Sequence, residues 1–307
     1  MMRLAFGLVL ALLSAGVGPA LAQDPGTLDK KPLPPLVHPD SPSTPAKELF
    51  GRKTEPVPLA ARSIGFYSSG CLAGAVALPI NGPTWQVMRL SRNRNWGHPT
   101  LIGFLERLAE SAKKVGWNGL LVGDMSQPRG GPMLTGHASH QVGLDADIWL
   151  TPMPDRKLSA EEREFMSAVN MVAEDRRDVE SKVWTHTRTE LIRTAAQDAD
   201  VERIFVNAAI KKALCREAGP DRSWLAKVRP WWGHDYHFHV RVFCPPDSPQ
   251  CKPQPEPPAG DGCGHDLDFW FSEGVLHPPP PAQPAKPRPA LTMANLPAAC
   301  RQVLMAP

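Results

Sequence analysis

Apolar and polar positions recur along this chain with two different periods. Between Pro99 and Val115, Leu101, Ile102, Leu105, Leu108, Ala109 and Ala112 return at three- and four-residue steps with charges between them, which predicts an amphipathic helix opening on its own proline. Elsewhere the period drops to two. Over 142–150, Val142, Leu144, Ala146 and Ile148 face one way and Asp145, Asp147 and Trp149 the other; Tyr236, Phe238, Val240 and Val242 likewise alternate with His237, His239, Arg241 and Phe243. Both stretches read as strands, as does the short run Leu120 to Val122 that ends on Gly123-Asp124. Ser159 with Glu162 and Thr187 with Glu190 fit capping boxes, so helices are expected to begin there, and Asn207 to Glu217 is a further helical stretch. With no internal repeat, the mixture predicts an α+β fold: a compact domain with a central antiparallel sheet and helices packed around it.

Proline divides the chain further. Of 35 Pro in 307 residues, 10 precede position 59, 9 fall between Leu59 and Cys244, and 16 follow from Pro245 onward. The expected organisation is a leader over 1–22, a Pro-rich flexible arm over 23–58 with no core to bury, a catalytic domain over 59–277, and a Pro-rich C-terminal extension over 278–307 in which Pro278 to Pro289 is the most mobile part. The leader follows from Arg3, an apolar run from Leu4 to Val17, the Gly18-Pro19 break and Ala20-Leu21-Ala22, the pattern of a secretory signal peptide cleaved near Ala22. No later stretch is long and apolar enough to span a bilayer, so export without stable membrane insertion is expected. Export in turn makes the six cysteines, Cys71, Cys215, Cys244, Cys251, Cys263 and Cys300, candidates for three disulfides whose pairing spacing alone does not choose. A net charge of +3 with interspersed acids and bases gives no reason to expect nucleic acid as a partner.

The chemistry concentrates in two segments, Gly136 to Asp147 and Trp232 to His239, which hold five of the ten histidines. His237 and His239, two apart on a strand, project from one face, and a turn carrying His140 could bring it to Asp147. His, Asp and His is a donor set suited to Zn²⁺, and three protein ligands leave a position for water. His237 would then handle the proton. Dull alternatives exist for each piece: a strand His-x-His by chance, Asp145 and Asp147 as turn or cap residues, His137 as a loop hydrogen-bonder. Nucleophile motifs are missing: there is no Gly-x-Ser-x-Gly, and the cysteines are expected to be oxidised.

The same residues carry a resemblance. Gly136-His137-Ala138-Ser139-His140 through Asp147, then Trp231-Trp232-Gly233-His234 and His237-Phe238-His239-Val240-Arg241, together with Ser69-Gly70-Cys71, Gly97-His98-Pro99 and Gly260-Asp261-Gly262-Cys263, resemble the penicillin-insensitive murein endopeptidases of the zinc peptidase group that includes lysostaphin, the D-Ala-D-Ala metallopeptidases and the hedgehog domain. The resemblance implies that His140, Asp147 and His239 hold a catalytic zinc, that His237 is the catalytic histidine, and that the enzyme, in the periplasm, hydrolyses D-alanyl-meso-diaminopimelate cross-links of peptidoglycan with a zinc-activated water, a route a β-lactam does not block. It further implies the pairs Cys71 with Cys300, Cys215 with Cys263 and Cys244 with Cys251. A second, weaker metal position matches His137, Asp175 and Asp178, the last being Asp where the family pattern has His. His98 and His234 are candidates for the cleft wall or for structural hydrogen bonding. Two other functions stay open on the same motifs: a zinc carboxypeptidase trimming stem peptides, and a non-catalytic zinc-containing wall-binding module.

Overall fold

The computed structural model describes residues 24–279 and 289–307, so the expected leader over 1–22 and most of Pro278 to Pro289 lie outside the described residues. In chain order the helices are α1 (Ala46–Phe50), α2 (Pro99–Lys114), α3 (Ala160–Phe165), α4 (His186–Gln197), α5 (Ala208–Glu217), α6 (Glu273–Leu276) and α7 (Ala299–Met305). The strands are β1 (Arg62–Phe66), β2 (Ser69–Ala73), β3 (Val76–Ala77), β4 (Trp85–Val87), β5 (Trp96–Gly97), β6 (Leu120–Val122), β7 (Asp145–Trp149), β8 (Val201–Val206), β9 (Val228–Pro230) and β10 (His237–Val242). Among the described residues no helix is long and apolar enough to cross a membrane.

Six strands form one sheet in the order β4-β6-β7-β10-β8-β9. Its middle, β6 to β7 to β10 to β8, is antiparallel, whereas the outer pairs β4–β6 and β8–β9 are parallel. The sheet is therefore mixed, which corrects the expectation of an antiparallel one. The cause is topological. Each parallel pair is joined through a helix, α2 for the first and α5 for the second, and a helical crossover returns the chain in the same direction. On one face Ala146 and Ile148 of β7 and Phe238 and Val240 of β10 join Leu101 and Leu105 of α2, Leu191 and Ile192 of α4, and Ile210 and Leu214 of α5 in a single apolar core. Alternation then sends Asp145, Asp147, His237, His239 and Arg241 to the opposite face.

Local rules account for most element ends. α2 begins at Pro99, and the Thr100 amide donates to Nδ1 of His98 at 3.2 Å. His98 is thus a helix cap, with its Nε2 3.2 Å from Asp247 Oδ1, and it lines neither of the two cavities at the site below. Ser159 and Glu162 close the expected capping box on α3. α4 starts earlier than expected: Thr185 is its N-cap residue, and Thr187 lies inside the first turn. Arg188 draws that turn in, donating to the Leu150 carbonyl at 3.1 Å and to Thr185 Oγ1 at 2.9 Å. β7 is shorter than the alternating stretch that foretold it, because Gly143 turns at φ +72 where a Cβ would meet Leu72 Cδ2 at 2.4 Å.

The expected coreless arm over 23–58 departs from what is found. Ala46, Phe50 and Val57 are buried in a second core with Ile64 and Ala73 of the β1–β2 hairpin and Leu296, Val303 and Leu304 from the C-terminal end. The Ala46 amide donates to Leu291 O at 2.7 Å, and Arg129 donates to the carbonyls of Val303 and Leu304 at the end of α7. The disulfides are Cys71–Cys300, Cys215–Cys263 and Cys244–Cys251, the pairs the resemblance implies. Both proline-rich ends are thereby fastened to one hairpin. Prolines without an apolar period say only that regular structure is absent; they do not say that the segment is loose.

Candidate active site

Strand register builds the centre of the site. β7 and β10 pair so that His239 lies opposite Asp147 and Arg241 opposite Asp145. Cross-strand partners on one face come within a few ångströms, so two carboxylates meet an imidazole and a guanidinium without any loop being involved. The loop between β6 and β7 then folds over this face and adds His137 and His140. His140 sits at φ +66, a left-handed conformation uncommon for a residue with a Cβ, and its amide donates to Asp145 Oδ2 at 3.0 Å.

Four imidazoles surround one carboxylate. Asp147 Oδ1 stands 3.5 Å from His140 Nε2, 3.4 Å from His239 Nδ1 and 3.6 Å from His237 Nε2, and its Oδ2 stands 3.4 Å from His137 Nε2. Asp147, His237 and His239 are nearly buried and His140 is completely so. His137, His140 and Asp147 each offer one ligand atom within 4.8 Å of the others; His239 comes in against Asp147 and lies 4.6 Å, ring to ring, from His140. The structure therefore brings His140, Asp147, His237 and His239 together. It adds His137 to them, and not to Asp175 and Asp178, with which the resemblance groups it. Asp178 pairs with Arg216 at 2.9 Å and Lys212 at 3.4 Å, while Asp175 accepts from the Arg177 amide at 2.9 Å. The acid beside His137 is Asp124, whose Oδ2 is 3.0 Å from His137 Nε2 and accepts from Arg92 and Arg94 at 2.8 Å each.

The donor atoms of this cluster could hold a metal ion. Asp147 Oδ1, both ring nitrogens of His140, His237 Nδ1 and Asp124 Oδ1 are buried without a hydrogen-bond partner. Such orphans are costly, and a cluster of them that is all lone pairs and imidazole nitrogens has a natural common partner in a cation. Spacing agrees: donors about 2.0–2.1 Å from a tetrahedral ion lie roughly 3.3–3.4 Å apart, close to the separations around Asp147. The donor chemistry, nitrogen and oxygen with no thiolate, suits a divalent metal such as zinc.

Beneath this cluster lies a set of supporting contacts that the sequence alone did not single out. Asp145, fully buried, has its Oδ1 2.9 Å from His239 Nε2 and accepts there from Arg241 Nε at 2.7 Å. This contact occupies Nε2 of His239 and leaves Nδ1 to face Asp147. Arg241 in turn lies 3.9 Å over the Tyr67 ring, and Tyr67 donates its hydroxyl to Glu202 at 2.6 Å. The signal was present in Asp145-x-Asp147, two acids on one strand face, but Arg241, the basic partner of Asp145, lies 96 residues away.

Electrostatics divide the groups cleanly. Burial would raise the carboxyls of Asp124, Asp145 and Asp147, yet the basic side chains facing them hold all three well below the usual range: His137, Arg94 and Arg92 for Asp124, Arg241 and His239 for Asp145, and His237, His137 and His140 for Asp147. Burial pushes His237 down to about 3 and His239 down to about 4, against the pull of Asp147 and Asp145 respectively, so both rings are neutral at pH 7. His137 moves up, because Asp147 and Asp124 outweigh its burial. A histidine whose folded pKa lies below its unfolded value stabilises above the unfolded pKa and loses that contribution as pH falls. In chelated protein the thermal midpoint is therefore expected to drop as pH falls from about 6.5 toward 4, on the order of a few kcal/mol for His237 and His239 together. His237→Asn should flatten this slope; an unchanged slope would remove His237 from the account.

Two cavities flank the cluster. One, of about 330 Å³, is polar and lined by Arg89, Arg92, Asp124, Asp147, Tyr236 and His237; Asp24, whose carbonyl accepts from Arg89 and Arg92, lies at its edge. The other, of about 410 Å³, is aromatic and lined by Phe66, Phe205, Trp231, Trp232, His234 and His239. His137 borders both. His234, at φ +60, has its Nδ1 2.9 Å from Trp232 O and belongs to the cleft wall.

Comparison with known proteins agrees with this geometry. The profile of a family described as penicillin-insensitive murein endopeptidase matches residues 63–305. A penicillin-insensitive murein endopeptidase of Escherichia coli (strain 55989 / EAEC) is 46% identical over 251 residues, covering 82% of this chain and 89% of that protein. Those of Shigella sonnei (strain Ss046) and Escherichia coli (strain K12) are each 47% identical over 239 residues, 76% of this chain and 87% of theirs.

Proposed function

This chain belongs to the penicillin-insensitive murein endopeptidase family and is a murein endopeptidase, and from that premise we propose that it uses one zinc ion to cut D-alanyl-meso-diaminopimelate cross-links, with His140, Asp147 and His239 as ligands and His237 as the residue that moves the proton. The observation that carries the proposal is the buried carboxylate of Asp147, without a hydrogen bond on Oδ1, facing four imidazoles and lining a cavity. Zinc in such a site supplies a polarised substrate carbonyl and a water acidic enough to attack near neutral pH.

The choice among the four histidines rests on their surroundings. His239 has Nε2 against Asp145, which fixes the ring and presents Nδ1 to the centre. His140 has neither ring nitrogen engaged and no exposure. His237 borders the polar cavity with its Nε2 3.6 Å from Asp147 Oδ1, beside the proposed ligands and open to substrate, where it can take a proton from water and pass it to the leaving amine. His137 is already against Asp124 and is the most exposed of the four, with a side chain 26% accessible. It fits better as a neighbour of the substrate, or as part of a weaker second position, than as a primary ligand.

Endopeptidase action needs room on both sides of the bond being cut. Two cavities that share His137, one lined by Asp147 and His237 and the other by His239, supply it, whereas a carboxypeptidase requires one side closed around a terminal residue. Peptidoglycan as substrate is consistent with action in the periplasm. The test is to incubate purified protein with cross-linked muropeptide dimers while measuring bound metal. Monomers should appear with about one zinc per chain, stop on chelation and return with added zinc, and His239→Ala should yield none. Loss of a single terminal residue instead would favour a carboxypeptidase; metal without turnover would favour a wall-binding module.

A further inference from the structure

The aromatic cavity does not end at the cluster. From the His239 ring, Phe205 stands 5.3 Å away and Trp231 a further 5.9 Å, and next to it Trp232 packs 4.9 Å from Trp270, which lies 5.6 Å from Phe269. Trp231, Trp232 and Phe269 are 54%, 56% and 61% exposed, so this is a row of rings at the surface and not a core. A contiguous exposed apolar strip leading out of an active site calls for a ligand. Phe269 and Trp270 come from the 3-10 turn Gly264–Phe271, pinned to α5 by Cys215–Cys263, so the row is held in place before anything binds. Polar groups sit beside it: Arg176, with a 46% exposed side chain, borders the hollow between Trp231, Trp232 and Trp270.

We propose that this row is a saccharide subsite that holds the glycan strand to which the cross-linked stem peptides are attached. The inference rests on the murein endopeptidase reading and extends it to a part of the substrate remote from the cut. Murein offers two chemistries. Its stem peptides bring alanine methyls and charged diamino-acid side chains; an ammonium can sit over one indole as a point cation but does not cover a row of ring faces. Its N-acetylated pyranose rings present flat C–H faces that stack on aromatic rings, with hydroxyl and acetamido edges left for donors such as Arg176. Reach agrees as well. A stem of about four residues spans roughly 13–14 Å when extended, enough to carry the peptide from the His239 ring past Phe205 to Trp231, in steps of 5.3 and 5.9 Å, so that the sugar it hangs from begins where the outer rings begin. Binding energy gathered there would orient the cross-link at the cluster without touching the reacting atoms.

The experiment compares wild type with Trp270→Ala and Phe269→Ala on two substrates: disaccharide-bearing cross-linked dimers, and the same dimers freed of sugar by an amidase. We expect kcat/KM on the sugar-bearing dimers to fall about tenfold in Trp270→Ala, and rates on sugar-free dimers to stay within about twofold. An N-acetylglucosamine oligomer titrated into wild type should change its tryptophan fluorescence, and Trp270→Ala should lose that response. Equal losses on both substrates would give the row to the peptide and overturn the proposal, as would an oligomer that does not bind wild type. If wild type cleaved neither substrate, the endopeptidase reading would fail separately, and the oligomer titration would still decide the subsite.

Discussion

Asp147→Asn is expected to empty the site and end turnover. The substitution keeps the shape of the side chain and removes its charge, so the effect reads the charge alone. At present one carboxylate serves four imidazole nitrogens at 3.4–3.6 Å, and its negative charge is secure because the facing imidazoles hold its pKa well below the usual range despite burial. An amide in its place is a poorer donor to a divalent cation and carries no charge to offset two positive ones. Bound zinc, measured by mass spectrometry after gel filtration, should fall below about a tenth of an equivalent. Cleavage of cross-linked dimers should fall at least about a thousandfold, the equivalent of roughly 4 kcal/mol of barrier. Circular dichroism should remain that of the wild type, since β7 keeps its pairing and its apolar face. The contrast is with Asp178→Asn, which loses a surface pair to Arg216 and Lys212 and should leave bound zinc at the Asp147 cluster and the rate close to wild type. Full zinc and a normal rate in Asp147→Asn would dispose of the proposed mechanism.

Why the sequence disclosed Asp147 and not Asp124 is a matter of period and distance. Asp147 lies in an alternating strand close to His140, and β10 repeats the alternation with two histidines on it, so pleat geometry alone puts the three types on one face. Asp124 lies two residues past a three-residue strand, and the arginines that hold it, Arg92 and Arg94, come from about 30 residues earlier. Nothing in a local pattern ties such residues together. The same limit hid the packing of the N-terminal arm. Phe50 and Val57 are too sparse to show a period, and the residues they pack against, Val303 and Leu304, come from the far end of the chain. α2 was legible end to end because its period, its opening proline and its apolar stripe all state the same thing. The direction of the outer strands was not: β4 and β9 are three residues each, and a strand that short carries no mark of whether its neighbour runs with it or against it.

Asp145→Asn should separate stability from metal affinity in a way that tests the supporting shell. Asp145 has no exposed surface and contacts three groups: Arg241 Nε donates to Oδ1 at 2.7 Å, His239 Nε2 lies 2.9 Å from the same oxygen, and the His140 amide donates to Oδ2 at 3.0 Å. An amide keeps one acceptor and replaces the other with an N–H₂, so one donor must face another whichever way the group turns. It also leaves a buried guanidinium without its anion. Breaking a buried pair from one side costs about 3–5 kcal/mol, which for a chain of this size is a fall in Tm on the order of 10 °C. The histidine ring loses the contact that orients it, and zinc affinity should fall about 10- to 100-fold. Arg241→Gln, tested alone and in combination, tells the two effects apart. Removing both charges should return part of the lost stability, because no guanidinium is then stranded. It should return none of the zinc affinity, because His239 still lacks its carboxylate. Competition against a chelator of known strength reads that second quantity directly, and a double variant that recovered affinity together with stability would show that Asp145 serves only to neutralise Arg241.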